Sequence, residues 1–311
     1  MRLTGFKRKA ESGGRERGRG MQATVRTAVE FRGVGLHSGR PARMRISPAS
    51  AHYGIWFKRT DLRGIDAMIP ARWDAVADTR LSTLLANRDG ASVGTVEHVM
   101  AALAGLGVDC ALIEIDGPEI PILDGSSRPF AEAIAAAGVI PLEGERRQLR
   151  ILKPVEVRDG ERLARLEPAA RFEIDVAIDF EAPAIGRQAL RLALGPGDFR
   201  RELSGCRTFC LLDEIEAMRA AGLARGGSLE NAVVVDGATV LNPEGLRRRD
   251  EFVRHKALDA VGDLALAGAP ILGRHVGRRS GHEMTNRLLR ALFATPDAWR
   301  SELAETEVLA A

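Results

Sequence analysis

The chain has 311 residues, 45% apolar and 28% charged, with a formal net charge of +3. That length exceeds one ordinary core and suits two domains of about 150 residues each, in a soluble globular protein. No apolar run approaches the roughly 20 residues of a membrane span, and the amino terminus lacks the apolar stretch of a secretory signal. Cys110, Cys206 and Cys210 are too few and too scattered for a disulfide framework. The expectation is a reduced, cytoplasmic protein without stable membrane insertion.

The positive charge is unevenly placed. Residues 1–20 hold seven of the 45 Lys/Arg but only two of the 42 Asp/Glu, so the remainder is slightly acidic. This Gly- and Arg-rich stretch has no apolar periodicity and is expected to be a disordered, dispensable basic extension, read through from a start codon upstream of Met21. The body shows no aromatic-plus-basic surface, so nucleic acid is not an expected partner.

In chain order, Gln22–Phe31 reads as a strand, followed by the glycine-rich turn Gly33–Gly39 and short strands at Arg43–Ile46 and Gly54–Lys58. Thr95–Leu106 reads as a helix with Thr95 as its N-cap. Cys110–Ile115 is a buried strand, and Pro129–Ala137 is a helix with Pro in its first turn. Residues 139–149 carry Gly, Pro and charges without periodicity, which places a linker there. Strands follow at Leu149–Val157, Arg162–Leu166, Phe172–Phe180 and near Gln188–Leu194. Cys210–Ala221 reads as helical, Ala232–Asp236 as a buried strand, and Glu283–Phe293 as a last helix. Strands first and two helices afterwards occur in both halves, which suggests a duplicated architecture without a residue-level repeat. The expected domains are 21–140 and 149–300, with 301–311 as a tail.

The organising stretch is Asp250–Asp263, D-E-F-V-R-H-K-A-L-D-A-V-G-D. Phe252, Val253, Leu258, Val261 and Leu264 recur at helical spacing and predict one apolar face. On that helix, His255 and Asp259 lie about 40° and about 6 Å apart, so both can reach one metal ion. Asp263 is about 12 Å from His255 along the axis and needs another role. Taken alone, such a pair is more often a solvated polar face than a metal site. Upstream, Glu97-His98 falls in the first turn of its helix, where the dipole favours neutral imidazole and ionised carboxylate. His98, His255 and Asp259 together make an N2O ligand set with a fourth position left for water, the catalytic arrangement for Zn2+. Glu97 can then take a proton from that water, and His282, oriented by Asp263, can give one to a leaving amine. Thr208 can offer its hydroxyl to the oxyanion.

These residues match a known family. G-T-V-E-H (94–98), P-E-I-P-I-L-D-G-S (118–126), R-T-F (207–209), D-E-F-V-R-H-K-x-L-D-x-x-G-D (250–263) and S-G-H (280–282) resemble the UDP-3-O-acyl-N-acetylglucosamine deacetylases of lipid A biosynthesis. V-G-L-H-S-G (34–39) and L-N-x-E-G-L-R (241–247) match as well, so the resemblance runs from about Met21 to near residue 294. It implies a hydrolase with one Zn2+ per chain that removes acetate from the glucosamine nitrogen of a UDP-linked, 3-O-acylated sugar, the committed step of that pathway. It implies His98, His255 and Asp259 as metal ligands, Glu97 as general base, and His282 as the cationic catalytic histidine. Thr208 and Lys256 match positions around the reacting acetyl group and substrate.

The implied fold class is α+β: two similarly built domains, each a sheet with two helices, the helices packed between the sheets. An insert at roughly Leu211–Val235 would form an apolar acyl-chain passage from Leu212, Ile215, Met218 and Leu223, although core packing explains these residues equally well. Lys256 and Arg279 suit the diphosphate, Phe172 resembles a uracil-stacking aromatic, and Phe209 and His37 are further substrate contacts. His52 and His275 fall in no motif and are expected on the surface or in packing. A monomer is expected. Cys210 and Gly94 depart from the usual family residues and put only local loop conformation and passage width in question.

Two other classes compete. Non-haem iron oxygenases share the two-His, one-carboxylate set, but no His-x-Asp or His-x-Glu occurs here, and the ligands fall on helices. The absence of His-Glu-x-x-His argues against a metallopeptidase. A non-enzymatic metal- or nucleic-acid-binding protein would tolerate Glu97→Gln, whereas a hydrolase would not.

Overall fold

The computed structural model describes residues 17–307; the rest of the expected basic extension and the last four residues lie outside it. In chain order the first half contains β1 (Val29–Val34), β2 (Pro41–Pro48), β3 (Ile55–Arg59), β4 (Met68–Pro70), α1 (Glu97–Gly105), β5 (Ala111–Ile115) and α2 (Arg128–Ala137). The second contains β6 (Val155–Asp159), β7 (Arg162–Glu167), β8 (Glu173–Asp179), β9 (Arg187–Ala193), α3 (Ile215–Ala220), α4 (Glu251–Ala265), β10 (Arg274–Arg278) and α5 (His282–Phe293).

The first sheet has the order β1-β2-β5-β3-β4 and the second β6-β7-β10-β8-β9. In each, the fifth strand arrives after a helix and enters the middle, antiparallel to the second strand and parallel to the third. The suggested duplication is therefore present as topology: strand order and strand directions repeat. Each half also carries a three-stranded side sheet in the same slot, between its fourth strand and the helix that precedes its central strand, α1 in one half and α4 in the other. These side sheets are Val76–Asp78, Leu84–Ala86 and Ser92–Val93 in one half, and Phe209–Leu211, Val233–Asp236 and Thr239–Val240 in the other.

Alternation along the strands turns one face of each sheet inward. Val29, Ile46, Ile113, Phe57 and Ile69 form one cross-strand row. Its counterpart is Val155, Leu166, His275, Ile174 and Leu192, with a buried histidine at the place Ile113 holds in the first sheet. The helices lie between the sheets. Phe130 of α2 meets Phe31 of β1 edge-on at 4.9 Å, α4 lies over β8 and β9, α5 over β6 and β7, and α1 packs on α4. No helix among the described residues is long and apolar enough to cross a membrane.

Several local expectations differ from the structure. Residues 139–149 are not an irregular linker: Val139–Glu145 pairs with Met21–Val25, and Arg147–Ile151 pairs with Trp299–Leu303. Their partners are far away in sequence, so no local pattern marks them. The strand expected at Gln22–Phe31 breaks into two, and Leu149–Val157 breaks before Val155, where Pro154 has no N–H to give a ladder. Arg17–Arg19 and Glu305–Glu307 pair with each other, so strand structure reaches into both the expected extension and the expected tail. Cys210–Ala221 is helical only over Leu212–Ala220, because Phe209–Leu211 pairs as a strand with Val233–Val235. α4 is not one-sided: His255, Asp259 and Asp263 are buried along with its apolar residues, because α1 covers their side of the helix.

Candidate metal centre and active site

α1 presents Glu97 and His98 in its first turn, α4 carries His255, Asp259 and Asp263 along one line, and α5 begins with His282. All six are buried. α1 and α4 can approach because α4 has Gly262 at the crossing, where a Cβ would stand 2.0 Å from the Glu97 carbonyl oxygen. Thr95 does not cap α1. The helix starts at Glu97, and Thr95, at φ +56°, donates its hydroxyl to Glu119 Oε1 at 2.8 Å. The same carboxylate accepts the His37 and Ser38 N–H groups at 2.8 and 2.7 Å, pinning the glycine turn beside the site.

His98, His255 and Asp259 each offer one ligand atom within 4.8 Å of the others, so together they could hold a metal ion. The imidazole rings of His98 and His255 lie 5.1 Å apart at 84°. His255 Nδ1 is 3.0 Å from the Cys206 carbonyl oxygen. A carbonyl only accepts, so Nδ1 carries the proton and Nε2 presents its lone pair to the cluster. Burial lowers the His255 pKa to about 3, which keeps the ring neutral.

Asp259 Oδ2 accepts from Lys256 Nζ at 3.1 Å, whereas Oδ1 is buried with no hydrogen-bond partner. The nearest imidazole nitrogens, His255 Nε2 at 3.3 Å and His98 Nε2 at 3.6 Å, make no hydrogen bond with it. Burial pushes this carboxyl up, but its positive surroundings, the Lys256 ammonium and the His282 imidazolium among them, outweigh burial and hold it well below the usual carboxylate range. A buried carboxylate oxygen with no donor, facing two imidazole nitrogens, fits a cation. The donor set fits Zn2+.

Glu97 stands beside this cluster. Its Oε2 accepts the Thr83 N–H at 3.0 Å, and its Oε1 lies 4.0 Å from His282 Nε2. Burial raises its pKa against the opposing pull of His282 and His98. His282 Nδ1 is 2.8 Å from Asp263 Oδ2, and Asp263 Oδ1 accepts the Thr83 hydroxyl at 2.6 Å. Burial works to neutralise His282, but Asp263 and Glu97 prevail and raise its pKa to about 9, leaving an imidazolium at neutral pH. A proton acceptor and a proton donor thus flank a site able to hold a cation.

The remaining candidates are placed unequally. Phe209 lies 5.4 Å from Lys256 Nζ and 6.2 Å from the His255 ring. Thr208, just before it, bonds through its backbone to Gly125 O and Val233 N, each at 2.8 Å. His37 Nε2 is buried without a partner, and His37 lies close enough to His282 to feel its charge. Arg279 is engaged by Glu161 and Asp179, and Phe172 packs partly buried against the core, so neither is a member of this cluster. Sequence reasoning missed Thr83, the Cys206 carbonyl and Glu119. The first two act through a short polar side chain or the backbone, and the third lies in a motif whose other residues gave no reason to single it out.

The family model described as LpxC: UDP-3-O-acyl N-acetylglycosamine deacetylase matches residues 22–294. A UDP-3-O-acyl-N-acetylglucosamine deacetylase of Phenylobacterium zucineum (strain HLK1) is 53% identical over 279 residues, 90% of this chain and 95% of that protein. One of the same name from Anaeromyxobacter dehalogenans (strain 2CP-C) is 54% identical over 279 residues, covering 90% and 89%. Another, from Myxococcus xanthus (strain DK1622), is 49% identical over 278 residues, covering 89% and 88%. With the match spanning nearly all of the described structure, the chain belongs to the UDP-3-O-acyl N-acetylglycosamine deacetylase family.

Proposed function

We propose that the protein is a Zn2+-dependent hydrolase that removes acetate from the glucosamine nitrogen of UDP-3-O-acyl-N-acetylglucosamine in lipid A biosynthesis. Family membership supports the reaction and the substrate. The observation that carries the chemistry is the orphaned Asp259 Oδ1 facing two imidazoles, with Glu97 and His282 4.0 Å apart beside it.

His98, His255 and Asp259 would hold the ion. A bound Zn2+ supplies Lewis acidity toward water and toward the amide carbonyl. Glu97, ionised next to the His282 imidazolium, accepts a proton as the water oxygen bonds to the acetyl carbon. When the C–N bond breaks, the imidazolium of His282 delivers its Nε2 proton to the departing amine, and Asp263 holds the ring from Nδ1 throughout. The products are acetate and the free amine. Thr208 is positioned in sequence to offer its hydroxyl to the developing oxyanion, and Lys256, Arg279, Phe172, Phe209 and His37 are the proposed substrate contacts. We further propose domains at 21–140 and 149–300, with the strands Val139–Glu145 and Arg147–Ile151 lying across the boundary, an acyl-chain passage in the insert holding α3, and a cytoplasmic monomer.

The test is acetate release from the purified UDP-sugar, with and without chelator. Release that stops on chelation and returns with Zn2+ is expected. No release from the intact, metal-loaded protein overturns the assignment.

A further inference from the structure

We propose that Thr83 is a positioning residue that ties the base and the acid of the two halves into one frame; this rests on the deacetylase reading above. Thr83 directly precedes the strand Leu84–Ala86 and uses three groups at once. Its N–H donates to Glu97 Oε2 at 3.0 Å, its carbonyl accepts the Val96 N–H at 3.3 Å, and its hydroxyl donates to Asp263 Oδ1 at 2.6 Å. The first two bonds fix the start of α1, which carries Glu97. The third crosses to α4 and takes one oxygen of the carboxylate whose other oxygen holds His282.

The hydroxyl has a single proton and spends it on Asp263. Both Asp263 oxygens are thereby committed, one to Thr83 and one to the imidazolium, so the carboxylate cannot rotate without breaking a charge-assisted hydrogen bond in a buried site. Thr83 is itself buried. An ordinary helix-capping threonine would use its hydroxyl oxygen to accept from a backbone N–H. Here the backbone of Thr83 serves the helix and the carboxylate of the base, while the side chain serves the acid's partner. Without the hydroxyl, Asp263 Oδ1 has no partner of its own, and the ring of His282 is free to swing from its place 4.0 Å from Glu97.

The test compares Thr83→Val, which keeps the shape and the backbone bonds, with Thr83→Ser, which restores the hydroxyl. In the Zn2+-loaded enzyme, Thr83→Val is expected to lower kcat on the order of 10- to 100-fold while KM stays within about threefold, and Thr83→Ser to stay within about threefold of wild type. The ring-nitrogen NMR signals of His282, assigned by their loss in His282→Gln, should shift in Thr83→Val and not in Thr83→Ser. Wild-type turnover by Thr83→Val, or equal loss in both variants, overturns the inference and leaves the deacetylase function standing. If wild type releases no acetate, the functional reading falls and the spectra alone decide: identical His282 signals in wild type and Thr83→Val overturn the role of Thr83.

Discussion

Replacing Gly262 by alanine tests whether the proposed metal centre depends on how closely two helices approach. The new Cβ would stand 2.0 Å from the Glu97 carbonyl oxygen, 2.8 Å from its carbonyl carbon and 3.0 Å from its Cα, and real Cβ contacts do not fall under 3.0 Å. All three neighbours are backbone, so no side-chain rotation relieves the clash, and α1 must retreat by about 1 Å or more. It would carry His98 and Glu97 away from His255 and Asp259, although metal–ligand distances tolerate only about 0.2 Å. A displacement of about 1 Å costs on the order of 100-fold in rate. Overpacking costs about 1–3 kcal/mol, offset by the roughly 1 kcal/mol that alanine gains over glycine within a helix. Net destabilisation is therefore modest, and the damage should concentrate in the site. Zn2+ affinity by competition with a chromophoric chelator, kcat, and Tm of the metal-free protein would be measured together. If Gly262→Ala binds Zn2+ and turns over within threefold of wild type, the close approach does not set the site, and the reasoning is refuted.

Other outcomes follow from the same structure. Glu97→Gln should retain one bound metal by elemental analysis while losing about 100- to 10,000-fold in turnover. Asp259→Ala should lose stoichiometric metal on dialysis, since it removes the buried oxygen that faces both imidazoles. His275 is buried, both its ring nitrogens lack hydrogen-bond partners, and burial lowers its pKa to about 4. The unfolded chain, with an ordinary histidine pKa near 6.5, takes up this proton first, so stability should fall as pH drops from about 6.5 to about 4. His275→Leu should remove that acid-side loss and raise denaturant stability at neutral pH by about 1–3 kcal/mol. Arg207 is fully buried against the equally buried Glu251. Its replacement by alanine should therefore cost about 3–5 kcal/mol in the same measurement, because the buried carboxylate loses its counter-ion and keeps only backbone N–H donors.

The candidate metal cluster was partly legible because helical spacing is geometric: His255 and Asp259 must share a side of α4, and Glu97-His98 at a helix start has a defined electrostatic character. Grouping His98 with that pair rested on donor chemistry, which the family resemblance then reinforced, because no local pattern encodes a contact between residues 157 apart in the chain. The α+β class was what the family resemblance implied, whereas the repeated order of strands and helices followed from periodicity. The edge pairings did not, since Val139–Glu145 finds its partner more than a hundred residues upstream. Thr95 fits the pattern of a helix cap, yet its hydroxyl is claimed by Glu119, 24 residues away. Thr83 carries no charge and sits in no spaced pattern, and the Cys206 carbonyl is an atom every residue has. Contacts of this kind become visible only when the backbone is in place.

The central insertion of β5 and β10 has a consequence for how the enzyme is made. Each enters a sheet between two strand pairs laid down earlier, and each does so only after the helix before it has been synthesised. Parallel pairing demands such a long return of the chain, and contacts of that span form slowly. Neither sheet is sealed until its last strand docks, and docking presses the preceding helix into the interior. A nascent chain halted near residue 140 can close the first sheet around His98, but it has nothing for that imidazole to share. The reaction centre should therefore emerge in a single late event, when the ribosome has released β10 and the start of α5, and α4 is driven onto a partner that has long been waiting.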